Sequence, residues 1–360
     1  MNIIRSFFDE WFQVVVVGFF LVFPFIPGIT PNDARQFIPL FIYSLLALSL
    51  NIVVGYTGLL HLGIAAFFGI GAYVTGILTV NMFPFKESFL VAAFLSVIVA
   101  SVFGILLSAP MLRLRGDYLA LVTLGFGQVV IYAITNFESI TAGTQALTPL
   151  MPSFAPTWMQ GIAKPLGLEK VKWQDYPVFY FLTLGILAIV LLGLRNLERS
   201  RLGRAWVSMR EDELAAGCMG LNTARLKLSA LAFAAGLAGL AGCLYAMFLQ
   251  GTAGPQAYNF NRSIITLCCL ILGGIGSRSG VLLGVFLIIG YDAILTPKLD
   301  NWLQQQGWNT RLDAWLVANE WSLRGLLKLS NWRLFIFGMA LILIMRFRPF
   351  GLIPARRKHD

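Results

Sequence analysis

A polar, arginine-rich stretch interrupts this otherwise apolar chain at residues 199–220, which read RSRLGRAWVSMREDELAAGCMG. Apolar segments lie on both sides of it, at residues 177–194 and 228–249. Crossing the ~30 Å hydrocarbon core of a bilayer takes roughly 20 residues at ~1.5 Å per residue, and both segments are about that long. The stretch is therefore predicted to join two membrane spans and to lie in water, where a soluble partner can press on it.

The composition of the whole chain supports a membrane location. Hydrophobic residues make up 58% of the 360 residues, charged residues only 12%, and the mean hydropathy is +0.76. Soluble domains carry about 25% charged residues. The net charge of +10 would suit nucleic acid. However, the basic residues cluster at the ends of apolar segments and not along one polar face, which argues against nucleic-acid binding.

The order of the apolar segments predicts the topology. Segments long enough to act as spans lie at residues 11–30, 38–54, 59–80, 88–112, 117–135, 177–194, 228–249 and 332–347. Two shorter apolar pieces within 263–296 flank the glycine-rich stretch 273–280, which is either a tight turn between short spans or the tip of a re-entrant pair. A single span there would place the loop at 195–227 and the arginine-rich tail on opposite sides, against the positive-inside rule.

We therefore expect an all-α fold, a polytopic transmembrane helical bundle of about ten membrane segments, some short or broken, with both termini cytoplasmic. Residues 1–360 are predicted to form a single transmembrane domain with a cytoplasmic loop at 195–227 and periplasmic segments at 136–176 and 297–331. The second periplasmic segment is rich in tryptophan, which favours a helix in the membrane interface; its tryptophans are Trp302, Trp308, Trp315 and Trp321.

Residues 211–220 within the polar stretch are predicted to form one short amphipathic helix. Acidic residues suit its positively polarised amino end, and Gly220 suits its termination. Its apolar face comprises Leu214, Ala215, Cys218 and Met219. Three successive acids argue against a helix that lies on lipid headgroups, because an anionic leaflet repels them. The helix is instead shaped to fit a groove on a partner protein.

Small and polar residues within the spans mark a candidate pathway. The glycines at 236, 239 and 242 favour helix packing, whereas Gly55–Gly63 is either a broken helix end that faces a pathway or a packing site. The amides of Asn51 and Gln128 are expected to bond across helix interfaces. The candidate pathway residues are Asn51, Thr57, Gly58, His61, Gln128, Thr141, Thr144 and Gly274.

The sequence lacks the patterns of an enzyme. It has no phosphate-binding Gly-x4-Gly-Lys-Ser/Thr motif, no Ser/His/Asp or His-Glu-x-x-His constellation and no metal-ligand spacing among its four cysteines and two histidines. It also has no row of carboxylates within the spans. We expect a passive route without catalytic residues or a bound metal, gated from outside, so that any ATP chemistry belongs to a partner.

Several motifs, in order along nearly the full chain, resemble those of the permease subunits of bacterial ABC importers for branched-chain amino acids. The resemblance is to the longer of the two permeases that pair in one complex. It rests on Gly55-Tyr56-Thr57-Gly58, Arg115-Gly116-Asp117-Tyr118, Thr123-Leu124-Gly125-Phe126, Gly203-Arg204-Ala205, Arg210-Glu211-Asp212-Glu213, Leu272-Gly273-Gly274-Ile275 and Arg348-Pro349-Phe350-Gly351. The chain departs from the family where Thr141-Ala142-Gly143 replaces a frequent Thr-Gly-Gly, and in its longer segment at 296–331.

The resemblance implies a multi-pass protein of the bacterial inner membrane, surrounded by lipid and without a cofactor of its own. It implies pairing with a second related permease, two ATP-binding subunits and a periplasmic substrate-binding protein. The loop helix would couple to the ATPases through Arg204, Arg210, Glu211, Asp212, Glu213, Leu214, Ala215 and Gly220. Related importers carry urea, short amides or other small organic acids, and these remain alternative substrates. A channel or secondary carrier that works without an ATPase is the alternative of another class.

Overall fold

The computed structural model describes residues 2–26, 31–84, 87–109, 117–150, 177–305 and 351–353, and single positions between 332 and 348. These residues are helical apart from their loops and an isolated antiparallel bridge between Val80 and Leu150. The all-α prediction is confirmed for this part of the chain. The predicted interfacial helix with Trp308, Trp315 and Trp321 lies outside the described residues. So do most of the segments 136–176 and 297–331 and half of the last apolar segment at 332–347.

Seven helices lie in the described residues between 2 and 150. They are α1 Asn2–Val22, α2 Pro31–Arg35, α3 Ile38–Leu50, α4 Ile64–Thr79, α5 Phe89–Ser108, α6 Asp117–Asn136 and α7 Glu138–Thr141. Short 3-10 turns follow α1 at Phe23–Phe25 and α7 at Gly143–Gln145. A π turn at Asn51–Tyr56 continues α3 before the chain breaks.

Residues 177–305 contain a further seven helices. They are α8 Val178–Arg199, α9 Arg201–Glu211, α10 Glu213–Cys218, α11 Thr223–Leu249, α12 Phe260–Gly273, α13 Arg278–Gly290 and α14 Thr296–Gln305. A 3-10 turn at Pro255–Tyr258 precedes α12, and a π turn at Tyr291–Leu295 joins α13 to α14.

The described residues include six helical stretches that are long and apolar enough to cross a membrane. They are Pro31–Tyr56, Phe89–Ser108, Tyr118–Asn136, Val178–Arg199, Thr223–Leu249 and Arg278–Leu299. Trp11–Phe25 and Ile64–Thr79 are shorter apolar helices. The protein is therefore a multi-pass membrane protein.

The glycine-rich stretch after Gly273 reverses the chain. Helix α12 ends there, α13 begins at Arg278, and the two helices pack side by side. Gly274 and Gly276 adopt positive φ angles of 126° and 86°, which glycine reaches without steric cost. The reversal predicted from the charge distribution is thus present, and a single continuous span through 263–296 is excluded.

Helix α11 lies at the centre of the bundle, where it packs against α3, α4 and α5. Its glycines allow close approach: a Cβ on Gly239 would lie 2.5 Å from the Cβ of Ala100, and one on Gly242 would overlap the Phe68 carbonyl oxygen. Dense packing of small residues is how helices associate in lipid, where the hydrophobic effect gives little drive. The predicted role of this glycine series in packing is confirmed.

The chain leaves regular helix after α3, so of the two alternatives for Gly55–Gly63, a broken helix end or a packing site, the structure shows the break. All six residues of the π turn are buried, and the hydroxyl of Thr57 donates to the Val53 carbonyl at 2.6 Å. Gly58 then adopts φ +71°, and regular helix resumes only at Ile64. Non-helical backbone at this depth is tolerated because protein surrounds it.

Candidate functional site

The polar stretch forms two helices and not one. Asp212 is extended, with φ −154° and ψ 112°, and separates α9 from α10. Its carboxylate accepts hydrogen bonds from the backbone N–H groups of Leu214 at 2.8 Å and Ala215 at 3.0 Å. Aspartate is a preferred N-cap for this reason. The prediction of a single helix over 211–220 is therefore wrong, because Glu211 ends one helix and Asp212 caps the next.

The predicted termination of this helix at Gly220 agrees with the structure. The helix finishes at Cys218, and Gly220 follows with φ +83°. A glycine in the left-handed region after the last turn is a common helix terminator.

Helices α9 and α10 are anchored to α11 by two contacts. Trp206 is fully buried, and its indole N–H donates to both the Leu226 carbonyl and the Ser229 hydroxyl at 3.1 Å. Glu213 forms an ion pair of 2.6 Å with Lys227, whose side chain is only 6% exposed. The polar surface is thus joined to the central helix at two points.

A third contact joins α9 to the broken helix. The guanidinium Nη1 of Arg210 donates to the Gly55 carbonyl at 2.5 Å. The stem of Arg210 lies over Gly58, where a Cβ would come within 2.9 Å of the arginine Cγ. A charged donor of this kind makes a stronger hydrogen bond than a neutral one.

The outer surface of α10 is apolar and exposed. Leu214 is 66% exposed and Met219 is 83% exposed. The predicted coupling residues therefore divide into two groups. Glu213 pairs with Lys227 of α11, and Arg210 bonds to the π turn. The other predicted coupling residues are exposed on or beside α9 and α10; they are Arg204, Glu211, Asp212, Leu214, Ala215 and Gly220.

The structure brings some of the candidate pathway residues together. The amide oxygen of Asn51 accepts a hydrogen bond from the Gly276 N–H at 2.9 Å, which ties the π turn to the 274–277 reversal. Gly274 lies in that reversal, against Gly351. Asn51 thus bonds across an element boundary, as the sequence predicted, although its Nδ2 atom has no hydrogen-bond partner among the described residues.

His61 lies within the break, and Gln128 lies on α6. His61 is buried with its ring centroid 5.8 Å from that of Phe67, and its Nδ1 has no partner among the described residues. Gln128 lines a cavity of about 10 Å³ with Gly63 and Ser263. That volume corresponds to about one water molecule, so the cavity does not admit an amino acid.

Thr141 and Thr144 are separated by a tight turn. The hydroxyl of Thr141 donates to the carbonyls of Ile134 at 2.5 Å and Phe137 at 2.8 Å, whereas Thr144 is exposed. Ala142 between them is left-handed, with φ 58° and ψ 18°. This conformation costs an alanine about 1–2 kcal/mol. A glycine at this position would avoid that cost.

Sequence reasoning missed the anchors Trp206 and Lys227. An aromatic residue inside a charged helix is a usable sign of an inward face, and Trp206 could have been found in that way. Lys227 gives no such sign, because its pairing with Glu213 depends on how α10 turns back onto α11.

Fold and site together define a multi-pass helical membrane protein. It has an interrupted helix in its interior, and α9 and α10 form an anchored surface that is partly apolar. The chain belongs to the family described as "branched-chain amino acid transport system / permease component", whose sequence profile matches residues 36–345. It is thus a transport permease, and the resemblance predicted from the sequence is confirmed.

Individual relatives agree with this assignment. The high-affinity branched-chain amino acid transport system permease protein LivM of Salmonella typhimurium is 34% identical over 330 residues, covering 88% of this chain and 68% of the relative. LivM of Escherichia coli is 34% identical over 327 residues, with the same coverage. The permease protein LivH of Salmonella typhimurium is 26% identical over 264 residues, covering 71% of this chain and 82% of the relative. No solved structure matches the chain.

Proposed function

We propose that this chain is the transmembrane permease subunit of an ATP-driven importer for branched-chain, aliphatic amino acids in a bacterial inner (plasma) membrane. The family membership and the names of LivM and LivH support this substrate class. The chain crosses the membrane in about ten segments with both termini in the cytoplasm. Its loop at 195–227 is cytoplasmic, and its segments at 136–176 and 297–331 are periplasmic.

The proposed complex contains this permease and a second, related one, which the similarity to both LivM and LivH supports. Two ATP-binding subunits and a periplasmic substrate-binding protein complete it. In this proposal the chain itself catalyses no reaction and holds no cofactor, because ATP is bound by the partner subunits.

The apolar surface of α10 carries the proposal. Leu214 and Met219 are exposed on a surface that is anchored from behind by Trp206, Glu213 and Arg210. Burying each such side chain in a partner groove gains about 1.5–3 kcal/mol. A rigidly anchored apolar surface is suited to transmit a conformational change of a bound ATPase.

Three contacts would transmit this movement to the membrane-spanning helices. Trp206 and Glu213 would move α11, which packs on α4 and α5, while Arg210 would move the π turn through the Gly55 carbonyl. A partner shifts the balance between inward-open and outward-open states only if it prefers one of them. ATP binding in the partners would supply that preference.

The test uses the complete importer in vesicles, with uptake of labelled leucine as the readout. The double variant Leu214→Glu, Met219→Glu is expected to weaken ATPase binding by at least about 100-fold, because two apolar contacts of about 1.5–3 kcal/mol each are lost. Uptake falls accordingly. Val207→Glu is the matched control, since Val207 is also exposed but lies on α9. Glu213→Lys is unsuitable, because it also breaks the ion pair with Lys227.

Two results would overturn the proposal. Uptake by the permeases without ATPases indicates a channel or secondary carrier. Unchanged ATPase binding by the double variant means that α10 is not the coupling surface. Competition by valine and isoleucine, with none by urea or acetamide, is the expected result for the substrate class, and the reverse order would favour the related importers.

A further inference from the structure

A groove of about 490 Å³ runs between α1 and α8 on the outside of the bundle. Its walls come from residues 11–21 of α1 and residues 188–195 of α8. Most of the lining is apolar, with Val14, Val17 and Leu21 facing Leu191 and Leu192. Sites that hold small organic molecules have volumes of about 300–1,000 Å³, so the groove has room for a hydrocarbon chain.

The groove is polar at one end only. Arg195 lies there, one turn before α8 ends at Arg199, together with Gln13 and Trp11 of α1. An arginine and a tryptophan at the end of apolar helices mark the level of lipid headgroups. The guanidinium fork of arginine fits phosphate oxygens in a bidentate manner.

The length of the groove matches one leaflet of a bilayer. Residues 11 to 21 of α1 cover about 15 Å at ~1.5 Å per residue. Half of the ~30 Å hydrocarbon core is also about 15 Å. The groove thus has a cationic end and an apolar part that is as long as one leaflet is thick. These dimensions fit a phospholipid that lies parallel to the two helices.

We infer that this groove is a binding site for an anionic phospholipid of the leaflet on the side of α9, with one acyl chain between α1 and α8 and its phosphate at Arg195. The site is continuous with a junction of three helices. Gln13 donates to the Ser279 hydroxyl at 3.2 Å, and Arg278 pairs with Glu198 of α8 at 3.1 Å. A lipid in the groove therefore stabilises the packing of α1 and α8 beside α13.

Native mass spectrometry of the full chain tests the inference. The chain is purified from nanodiscs that hold phosphatidylglycerol and phosphatidylethanolamine in equal parts, and the lipids that it retains are counted. We expect retained lipid to be enriched in phosphatidylglycerol. Arg195→Gln lowers that enrichment about five-fold, the equivalent of about 1 kcal/mol for one basic residue at an anionic surface. Arg199→Gln removes the same charge four residues further along α8, outside the groove, and is expected to lower the enrichment less.

A second pair of variants tests the groove itself. Gly18 lines the groove, and a Cβ there meets open space, so Gly18→Trp is expected to fill part of the groove. It is expected to remove the retained phosphatidylglycerol. Gly193 of α8 also has open space at its Cβ but does not line the groove, so Gly193→Trp is the matched control. Melting temperatures of all variants show that each is folded.

Three outcomes overturn the inference. In the first, the wild-type chain retains the two lipids equally. In the second, Arg195→Gln and Arg199→Gln have the same effect on enrichment. In the third, a second permease that copurifies with the chain displaces the lipid and fails to bind Gly18→Trp, which would make the groove an interface between subunits.

Discussion

At the residue scale, three elements of the fold meet at Gly55. Its carbonyl accepts from Arg210 of α9, and its Cα faces both the Asn51 amide and the Gly276 backbone of the reversal after α12. A Cβ at this position would overlap the Asn51 amide oxygen that accepts the Gly276 N–H. Glycine is required here because the polar surface, the interrupted helix and the reversal pass within contact distance of one backbone unit.

The Arg210 contact predicts an uncoupled variant. Arg210→Met keeps an apolar stem over Gly58 but removes a charged hydrogen bond, which contributes about 1.5–3 kcal/mol. We expect a lower melting temperature of the purified chain and, in the complete importer, leucine uptake that falls further than ATP hydrolysis. Arg201→Met is the control, because Arg201 is exposed on the same helix. Equal losses of uptake in Arg210→Met and Arg201→Met would show that the positive charge matters and the hydrogen bond to Gly55 does not.

Residue types in this region could be predicted from the sequence more readily than their partners. An amide within a span must find a partner, which correctly indicated that Asn51 bonds across elements. The identity of Gly276 as that partner could not be predicted, because it is 225 residues away along the chain. For Glu213 the sequence does not even indicate that the side chain has a partner. Nothing distinguishes it from the two acids before it, although it alone of the three pairs with Lys227.

At the scale of elements, small residues decide how closely the central helices approach. Helix α11 presents Gly236 to the Ser101 hydroxyl, Gly239 to Ala100 and Gly242 to the Phe68 carbonyl of α4. Ala234, Ala235, Ala238 and Ala241 of the same helix are almost completely buried. The three helices α4, α5 and α11 thus form one tightly packed unit, on which α9 and α10 are anchored from the polar side.

This packing predicts the effect of one added methyl group. Gly242→Ala forces α4 and α11 apart, and overpacking of this kind costs about 1–3 kcal/mol. Gly185→Ala is the matched control, since Gly185 lies in the α8 span and its Cβ meets open space. It is expected to be neutral or to stabilise by up to about 1 kcal/mol, through helix propensity alone. Melting temperatures in detergent compare the two, and equal values would contradict the packing interpretation.

The sequence predicted elements well where a pattern repeats and poorly where a single residue decides. The glycines of α11 recur at helical spacing, so their packing role could be predicted. The dense glycines after Gly55 left a broken helix end and a packing site as alternatives, and only the structure decides for the break. The division between α9 and α10 could not be predicted, because an aspartate is compatible with both a helix interior and an N-cap. The π turn at Asn51–Tyr56 also has no sequence pattern of its own.

At the scale of the whole molecule, apolar surface remains on the outside of the bundle. Phe94, Val102 and Leu106 of α5 are exposed, and so are Leu121 and Val129 of α6. Exposed apolar helix faces are stable in hydrocarbon, which agrees with spans that contact lipid or a second permease. The polar helices α9 and α10 are separate from these apolar faces. Labelling at α9 and α10 can therefore measure the orientation of the bundle across the membrane.

Cys218 provides the measurement of orientation. It is an exposed cysteine on α10, whereas Cys243 and Cys269 are buried. If the loop at 195–227 is cytoplasmic, a membrane-impermeant maleimide is expected to label Cys218 in inside-out vesicles and not in intact cells. Cys218→Ser removes this label. Thr144→Cys, placed at an exposed position that we assign to the periplasmic side, is expected to show the reverse pattern in the Cys218→Ser background. Labelling of Cys218 from outside intact cells would invert the topology, and with it the assignment of α10 as the surface on which cytoplasmic ATPases act.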